Sequence, residues 1–248
     1  MRKAFAGRSA IVTGGGTGIG RAISIALAAQ GACVTIIYAR SETDAKATVE
    51  HIEGLGGRAV ARRADVTDEA AVRAAIASAA DAFGGLDYLV NNAGITRQLP
   101  FADLDAIDSA VWDQLFATNV KGAFFCCRAA APYLRRQPGS AIVNIGSIAG
   151  ETGYGSSIPY AVSKAALHGL TKSLARALAP EIRVNGIMPG AVRTRWWQGN
   201  EEKMKALSGA LPLQRISTPE DIADTVLMLL QAKSMTGQNI KAENGQTL

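Results

Sequence analysis

Short, continuously apolar runs alternate with stretches of helical periodicity along most of the chain, and this alternation constrains the fold more than any other feature. Strands that are apolar along their whole length must be covered on both faces, which is typical of a parallel sheet between two layers of helices. Strands are predicted at 8–13, 33–38, 58–63, 86–91, 141–146, 182–188 and 239–242. Helices are predicted at 18–30, 42–54, 68–83, 109–136, 159–179 and 219–231. We therefore expect an α/β fold with a doubly wound parallel sheet and helices on both faces.

The composition indicates a folded globular protein. With 248 residues, 48% hydrophobic and 19% charged, the chain can bury a sizeable core. Because no linker or repeat divides the sequence, a single domain is predicted over 1–248. No apolar run reaches the roughly 18 residues that a membrane-spanning helix requires, and the first residues do not resemble a signal peptide. We expect a cytoplasmic protein that does not use a membrane.

The distribution of charge and the spacing of metal-ligating residues indicate which partners and ligands are not expected. The formal charge of +5 is scattered in ones and twos rather than gathered into a basic stripe, so nucleic acid is not expected as a partner. The three cysteines and two histidines lack the spacing of metal ligands, and no metal site is predicted.

A glycine-rich turn joins the first predicted strand to the first predicted helix. It reads Thr-Gly-Gly-Gly-Thr-Gly-Ile-Gly at 13–20. Glycines at such a junction allow the backbone to approach a pyrophosphate, which then lies at the positive end of the helix. A glycine cluster can also be no more than a flexible loop. Its position between a strand and a helix favours nucleotide binding.

The end of the second predicted strand bears on which dinucleotide is bound. An acidic residue there would accept hydrogen bonds from the adenosine ribose and favour NAD(H). This chain has Tyr38-Ala39-Arg40-Ser41 instead, and Arg40 could pair with a 2′-phosphate. The pattern therefore favours NADP(H) over NAD(H). The alternative is that Arg40 is an ordinary surface charge.

Tyr160 and Lys164 are a candidate catalytic pair. They lie four residues apart in the helix predicted at 159–179, so their side chains share one helix face. A free tyrosine has a pKa of about 10, and a neighbouring cation favours the phenolate. We expect Lys164 to lower the pKa of Tyr160 towards the range of an acid–base catalyst.

Several motifs occur together in a fixed order, and as a set they resemble the short-chain dehydrogenase/reductase family. They are the glycine turn at 13–20, Asp65-Val66, Asn-Asn-Ala-Gly at 91–94, Asn119, Ser147, Tyr160 with Lys164, and Pro189-Gly190. The similarity runs from about 7 to 245. It implies a Rossmann fold with strand order 3-2-1-4-5-6-7 and a homo-oligomer, usually a tetramer or dimer. The residues at 241–245 depart from the Val-Asp-Gly-Gly-like end that is common in the family.

The resemblance implies a catalytic set of four residues. Tyr160 would exchange the proton with the substrate oxygen, and Lys164 would lower its pKa and hold the nicotinamide ribose. Ser147 would hydrogen-bond the substrate oxygen and stabilise the charge that develops there. Asn119 would orient a proton-relay water near Lys164. The hydride would come from the nicotinamide, and the protein would supply orientation and a proton.

The resemblance also implies an extended cofactor site. Asp65 would bind the adenine amino group beside the Val66 backbone, and Thr194 would meet the nicotinamide carboxamide together with Pro189 and Gly190. The full set of cofactor residues is Gly14, Gly16, Thr17, Gly18, Ile19, Tyr38, Arg40, Ser41, Asp65, Val66, Asn92, Ala93, Gly94, Tyr160, Lys164, Pro189, Gly190 and Thr194.

The substrate is expected to lie between the catalytic residues and a lid at about 190–213. The substrate residues are Ser147, Tyr154, Tyr160 and Trp196, although Trp196 could equally pin the lid down. The substrate would be a small carbonyl or alcohol compound, and the resemblance is nearest to reductases of 3-oxoacyl thioesters on an acyl carrier. A sugar, a steroid or another small alcohol is an alternative, since fold-level analogy does not fix a substrate. A third hypothesis is that the protein senses a dinucleotide and catalyses no reaction.

Overall fold

A single parallel sheet of seven strands forms the centre of the computed structural model, which describes residues 3–195, 199 and 201–248. The strand order is β3-β2-β1-β4-β5-β6-β7, and every neighbouring pair is parallel. The strands are β1 Ser9–Thr13, β2 Cys33–Tyr38, β3 Arg58–Arg63, β4 Tyr88–Asn91, β5 Ala141–Ile145, β6 Arg183–Pro189 and β7 Asn239–Ala242. The predicted doubly wound sheet and its strand order are confirmed.

The helices connect successive strands. They are α1 Gly18–Ala29, α2 Glu42–Gly54, α3 Glu69–Phe83, α4 Ser109–Phe116, α5 Ala123–Leu134, α6 Ala149–Thr152, α7 Ile158–Leu178, α8 Glu201–Ala210 and α9 Pro219–Gln231. A π-helical turn, Ala117–Gly122, joins α4 to α5, so the helix predicted at 109–136 is present with a change of winding in its middle.

Two helices were not predicted. The helix α6 is a single turn, too short to produce a periodic signal. The helix α8 lies within the segment predicted as a lid and carries few apolar residues, so no apolar stripe marks it in the sequence.

Alternate residues of the strands pack into two separate cores. Ala10 and Val12 face a layer that contains α1, α2 and α9, whereas Ile11, between them, faces a layer that contains α3, α5 and α7. Because both faces of each central strand are covered, the strands need apolar side chains throughout. This packing accounts for the continuously apolar runs in the sequence.

The strand order places a switch point between β1 and β4, where the chain crosses to opposite sides of the sheet. In open parallel sheets, the crevice outside the carboxyl ends of the strands at such a point is where ligands bind. The glycine turn follows β1 directly, and the Asn-Asn-Ala-Gly motif begins at the end of β4. The fold therefore brings these two motifs to the same crevice.

Among the described residues, no helix is long and apolar enough to cross a membrane.

Candidate active site

A cleft of about 330 Å³ opens at the carboxyl ends of β1 to β4. It brings together the larger part of the predicted cofactor site, namely Gly14, Gly16, Thr17, Tyr38, Arg40, Ser41, Asp65, Val66, Asn92, Ala93 and Gly94. Its remaining lining residues are Ile37, Ala39, Ala64, Ile95, Gln114 and Thr118, none of which was predicted as a cofactor residue. The first four adjoin predicted cofactor residues in the chain. Gln114 and Thr118 reach the cleft only because of the way α4 and the π-helical turn face it.

The glycine turn packs so closely that several of its positions exclude a side chain, as Gly14 and Gly20 illustrate. Gly14 has a positive φ of 63°, and a Cβ added there would lie 3.0 Å from Asn92 Nδ2. A Cβ added to Gly20, in the first turn of α1, would lie 2.2 Å from the carbonyl oxygen of Gly14. The turn therefore presents backbone at the positive end of α1, an arrangement that fits a pyrophosphate.

The ends of β1 and β4 are held together by the Asn92 and Ala93 segment. Asn92 Nδ2 donates to the carbonyl oxygens of Thr13 and Gly14 at 3.0 and 3.2 Å. The backbone N–H groups of Asn92 and Ala93 each donate to Thr13 Oγ1 at 3.0 Å. Asn92 therefore braces the central strands and fixes the floor of the cleft.

Arg40 lies at the adenosine end of the cleft. Its side chain is exposed, and among the described residues none forms an ion pair with it. Ser41 is the N-cap residue of α2. Asp65, exposed after β3, accepts hydrogen bonds from the backbone N–H and the hydroxyl of Thr67 through Oδ1, at 2.9 and 2.8 Å. This end of the cleft thus presents one cation and one carboxylate that are accessible to a ligand.

The helix α7 positions the candidate catalytic pair. Ser157 caps its first turn by accepting a hydrogen bond from the Tyr160 backbone N–H at 3.4 Å. The Tyr160 side chain is hydrogen-bonded to Ser147, which follows β5. Lys164 is buried, donates from Nζ to the carbonyl oxygen of Ile145 at 2.9 Å, and lies 5.8 Å from the centre of the Tyr160 ring. Three of the four predicted catalytic residues therefore meet at the end of β5.

Burial controls the ionisation of this pair. It raises the pKa of the Tyr160 phenol above its ordinary value, and the hydrogen bond with Ser147 offsets only part of that effect. Burial also lowers the pKa of Lys164 to about 8. The expected lowering of the Tyr160 pKa by Lys164 is not found, because the ammonium is directed to a backbone carbonyl and desolvation of the phenol dominates.

Asn119, in the π-helical turn, connects the cleft wall to α7. Its Oδ1 accepts from the Ile95 backbone N–H at 2.9 Å, and its Nδ2 donates to the Ile95 carbonyl and to Ser163 Oγ, each at 3.0 Å. The amide is thus engaged with protein atoms on both sides. These contacts tie the wall of the cleft to α7, and the role of orienting a water stays a prediction.

The cofactor residues after β6 approach the glycine turn from the other side. The Thr194 methyl group would lie 3.4 Å from a Cβ on Gly18. Gly190 packs against Glu243 and Gln246, and Gln246 Oε1 accepts from the Ala191 backbone N–H at 3.0 Å. Gly18, Ile19, Pro189, Gly190 and Thr194 are not among the residues that line the cleft.

The catalytic pair adjoins the cleft at Gly94. A Cβ on Gly94 would lie 3.5 Å from Lys164 Nζ and 3.3 Å from Asn119 Oδ1. Gly94 therefore joins the cofactor cleft to the predicted catalytic residues, although Tyr160 and Lys164 do not line the cleft themselves.

The predicted substrate residue Tyr154 lies outside the lining of the cleft. Tyr154 is exposed and stacks on Phe101, with ring centres 5.1 Å apart. The adjoining Gly155 would place a Cβ 3.2 Å from the Tyr160 ring, so the loop that carries Tyr154 borders the catalytic tyrosine. Phe101 was not predicted, since no pattern in the sequence marks its loop. Trp196 lies outside the described residues.

The described residues contain no group of three or more His, Cys, Asp or Glu side chains that could hold a metal ion.

Comparison with known proteins agrees with this geometry. The family described as short chain dehydrogenase matches residues 8–205. The short-chain dehydrogenase/reductase homolog YusR of Bacillus subtilis is 60% identical over 129 residues, which cover 52% of this chain and 100% of that protein. The 3-oxoacyl-[acyl-carrier-protein] reductase FabG of Staphylococcus aureus is 40% identical over 242 residues, which cover 96% of this chain and 97% of that protein.

A solved structure is similar over nearly the whole fold. The short chain dehydrogenase of Burkholderia cenocepacia in complex with NADP superimposes with a TM-score of 0.91 at 38% sequence identity. The match covers 98% of this chain and 99% of that one.

The close packing of the glycine turn leads to a test of nucleotide binding. Gly20→Ala should weaken dinucleotide binding by about tenfold or more, because the added methyl group forces the turn or the first turn of α1 to move. Gly54→Ala is the matched control, since a Cβ at that helical position meets nothing within 4 Å. Titration calorimetry with NADPH and NADH measures both variants. Wild-type affinity in Gly20→Ala would contradict the arrangement.

Proposed function

The chain belongs to the short-chain dehydrogenase family and is an oxidoreductase acting on CH–OH and carbonyl groups, and we propose that it uses NADP(H) to reduce the ketone of a 3-oxoacyl thioester. The observation that carries the proposal is the hydrogen bond between Ser147 and Tyr160, beside the buried Lys164 at the end of the cleft. A hydroxyl, a phenol and an ammonium gathered at one edge of a nucleotide cleft suit the transfer of a proton to a carbonyl oxygen.

Tyr160 is the proposed proton donor. Its raised pKa keeps the phenol protonated at neutral pH, which is the state that carbonyl reduction requires. When bound, the reduced nicotinamide supplies the hydride that adds to the carbonyl carbon. As charge develops on the oxygen, Ser147 donates a hydrogen bond to it and Tyr160 gives up its proton. We propose that the Lys164 ammonium turns from the Ile145 carbonyl to stabilise the phenolate that remains, since that charge exists only after the proton has left.

The remaining cofactor assignments follow the shape of the cleft. We propose that the glycine turn and the first turn of α1 hold the pyrophosphate, and that Asp65 and the Val66 backbone receive the adenine. Thr194, with Pro189 and Gly190, would receive the carboxamide. The Asn119 amide holds Ile95 in the cleft wall, and the Lys164 ammonium reaches the ribose hydroxyls past Gly94.

The preference for NADP(H) rests on Arg40. Its exposed guanidinium lines the adenosine end of the cleft, where Ser41 adds a hydroxyl. A guanidinium pairs with the oxygens of a phosphate through two parallel hydrogen bonds. The related structure from Burkholderia cenocepacia is a complex with NADP, which supports the same assignment for this chain.

The substrate class rests on the relatives and on the shape of the site. A relative at 40% identity over nearly the whole chain is named as a 3-oxoacyl carrier-protein reductase. The exposed Tyr154, stacked on the half-buried Phe101 next to the loop that borders Tyr160, offers an apolar wall for an acyl chain. We propose that the segment 190–213 is the substrate lid. We also propose that a carrier protein bears the thioester and that the enzyme works as a homo-oligomer.

The first test of this function is a turnover assay. NADPH and NADH oxidation are followed with a small 3-oxoacyl thioester and with a panel of sugar, steroid and simple ketone substrates. Loss of absorbance with NADPH and the thioester is expected. Tyr160→Phe should lower kcat by about 100-fold or more because it removes the proton donor, while NADPH affinity is kept.

The panel also separates the alternatives. Turnover of sugars or steroids but not of the thioester would overturn the substrate class and keep the chemistry. Tight NADPH binding without turnover of any compound would favour a dinucleotide sensor. Retained turnover in Tyr160→Phe would overturn the assignment of the proton donor.

Cofactor preference is tested at Arg40. Arg40→Asp should lower the ratio of kcat/KM for NADPH over NADH by about tenfold or more, because a charged hydrogen bond is lost and a like charge is introduced. Arg58→Asp is the matched control, since Arg58 lies at the amino end of β3, away from the carboxyl ends of the strands where the cleft opens. An unchanged ratio in Arg40→Asp would show that Arg40 is an ordinary surface charge.

The ionisation of Lys164 predicts a pH dependence. Because its folded-state pKa is lowered to about 8, the ammonium is present below that pH and is lost as the pH rises through it. The kcat/KM for NADPH, which reports ionisations of the free enzyme, should therefore decline above about pH 8. Lys172→Met, an exposed change on the same helix, should keep this decline, and Lys164→Met should remove it. A flat profile through this range in the wild type would contradict the assignment.

A further inference from the structure

The glycine turn lies between two walls, of which the first is α2. A Cβ on Gly16 would lie 2.8 Å from the Cα of Ala45, and Thr48 Oγ1 donates to the Gly16 carbonyl oxygen at 3.1 Å. The first two turns of α2 are therefore packed directly against the turn. Asp44, next to Ala45, is half exposed at this wall.

The second wall is the segment that follows β6. Thr194 lies against Gly18, with its methyl group 3.4 Å from the position of a Cβ there. The next residue, Arg195, crosses to α2, where its Nη2 lies 3.2 Å from Asp44 Oδ2. One ion pair thus joins the two walls on either side of the proposed pyrophosphate position.

We propose that Arg195 and Asp44 form a clasp that positions Thr194 over the glycine turn and slows the release of the bound dinucleotide. The proposal rests on the proposed function, because it takes the cleft as the cofactor site. Neither residue touches the reacting atoms, so both are positioning residues. Their effect is on the cofactor and not on the chemical step.

Exposure indicates how strong the clasp is. The Arg195 and Asp44 side chains are 65% and 43% exposed, so water and salt screen the pair and it opens readily. A pair of this kind retards dissociation without trapping the cofactor. Arg195 also neutralises a carboxylate that would otherwise lie near the phosphates of the dinucleotide.

A different role for Arg195 predicts the opposite effect at Asp44. If Arg195 were a direct phosphate ligand that Asp44 holds away, removing Asp44 would release the guanidinium and slow cofactor dissociation. If the two residues form a clasp, removing either one speeds dissociation. The sign of the Asp44 effect therefore separates the two roles.

The test measures cofactor dissociation by stopped-flow displacement of bound NADPH and of bound NADH. Arg195→Met and Asp44→Asn should each raise the dissociation rate by about 1.5- to 5-fold, which is the range for exposed ion pairs. The double variant should be no faster than the faster single variant, because both changes break one interaction. The exchanged pair, Asp44→Arg with Arg195→Asp, should return the rate towards that of the wild type.

Controls separate the clasp from general effects of charge and stability. Arg73→Met breaks another exposed ion pair, with Glu69 on α3, and should leave the dissociation rate unchanged. Added salt should speed dissociation in the wild type more than in the single variants. The rate constant of the chemical step, measured in single turnovers of Arg195→Met and Asp44→Asn, should equal that of the wild type.

Three results would overturn the proposal: unchanged rates in both single variants, slower dissociation in Asp44→Asn, or strictly additive effects in the double variant. Failure of the proposed function looks different. A wild-type protein that prefers NADH, or that turns over another substrate, still gives a dissociation rate on which the clasp can be judged.

Discussion

The hydrogen bonds between Asn92 and the end of β1 are the contacts on which the rest of the site depends. Parallel strands with crossovers on opposite sides of the sheet leave a gap where the two halves of the fold part, and here that gap lies between β1 and β4. Asn92 closes its floor by binding the carbonyl oxygens of Thr13 and Gly14. A buried carbonyl without a partner costs about 1–3 kcal/mol, so this side chain also stabilises the turn that receives the ligand.

A chain of buried amides extends the same support to the catalytic helix. Asn91 Nδ2 donates to Asn144 Oδ1 at 2.9 Å, and Asn144 Nδ2 donates to Thr171 Oγ1 at 2.9 Å. Two strands and α7 are therefore joined by side chains as well as by packing. Together with the hydrogen bond from Lys164 to Ile145, these contacts fix α7 on β5 at two positions along the helix. Ser147, at the end of β5, is held in register with Tyr160 as a result.

Much of this arrangement could be predicted from the sequence, because the strongest signals are local. Continuously apolar strands and the glycine turn determine the sheet and its crevice, and both were predicted. The direction of the Lys164 ammonium was not, since it depends on a carbonyl 19 residues away and on burial that only the folded chain creates. Phe101 and the helix α8 were not predicted either, because neither carries a periodic pattern in the sequence.

The π-helical turn at Ala117–Gly122 has a consequence for how this region can vary. A π turn contains one residue more than the α-helical path between the same ends, and such turns frequently occur at functional sites. Deleting one residue there would restore a regular α-helix between the same ends, so α4 and α5 would keep their orientation while the residues of the turn lose theirs. Asn119 would leave Ile95 and Ser163, so the cleft wall would lose its tie to the candidate catalytic helix. A change of length between α4 and α5 therefore alters the site even where it leaves both helices intact.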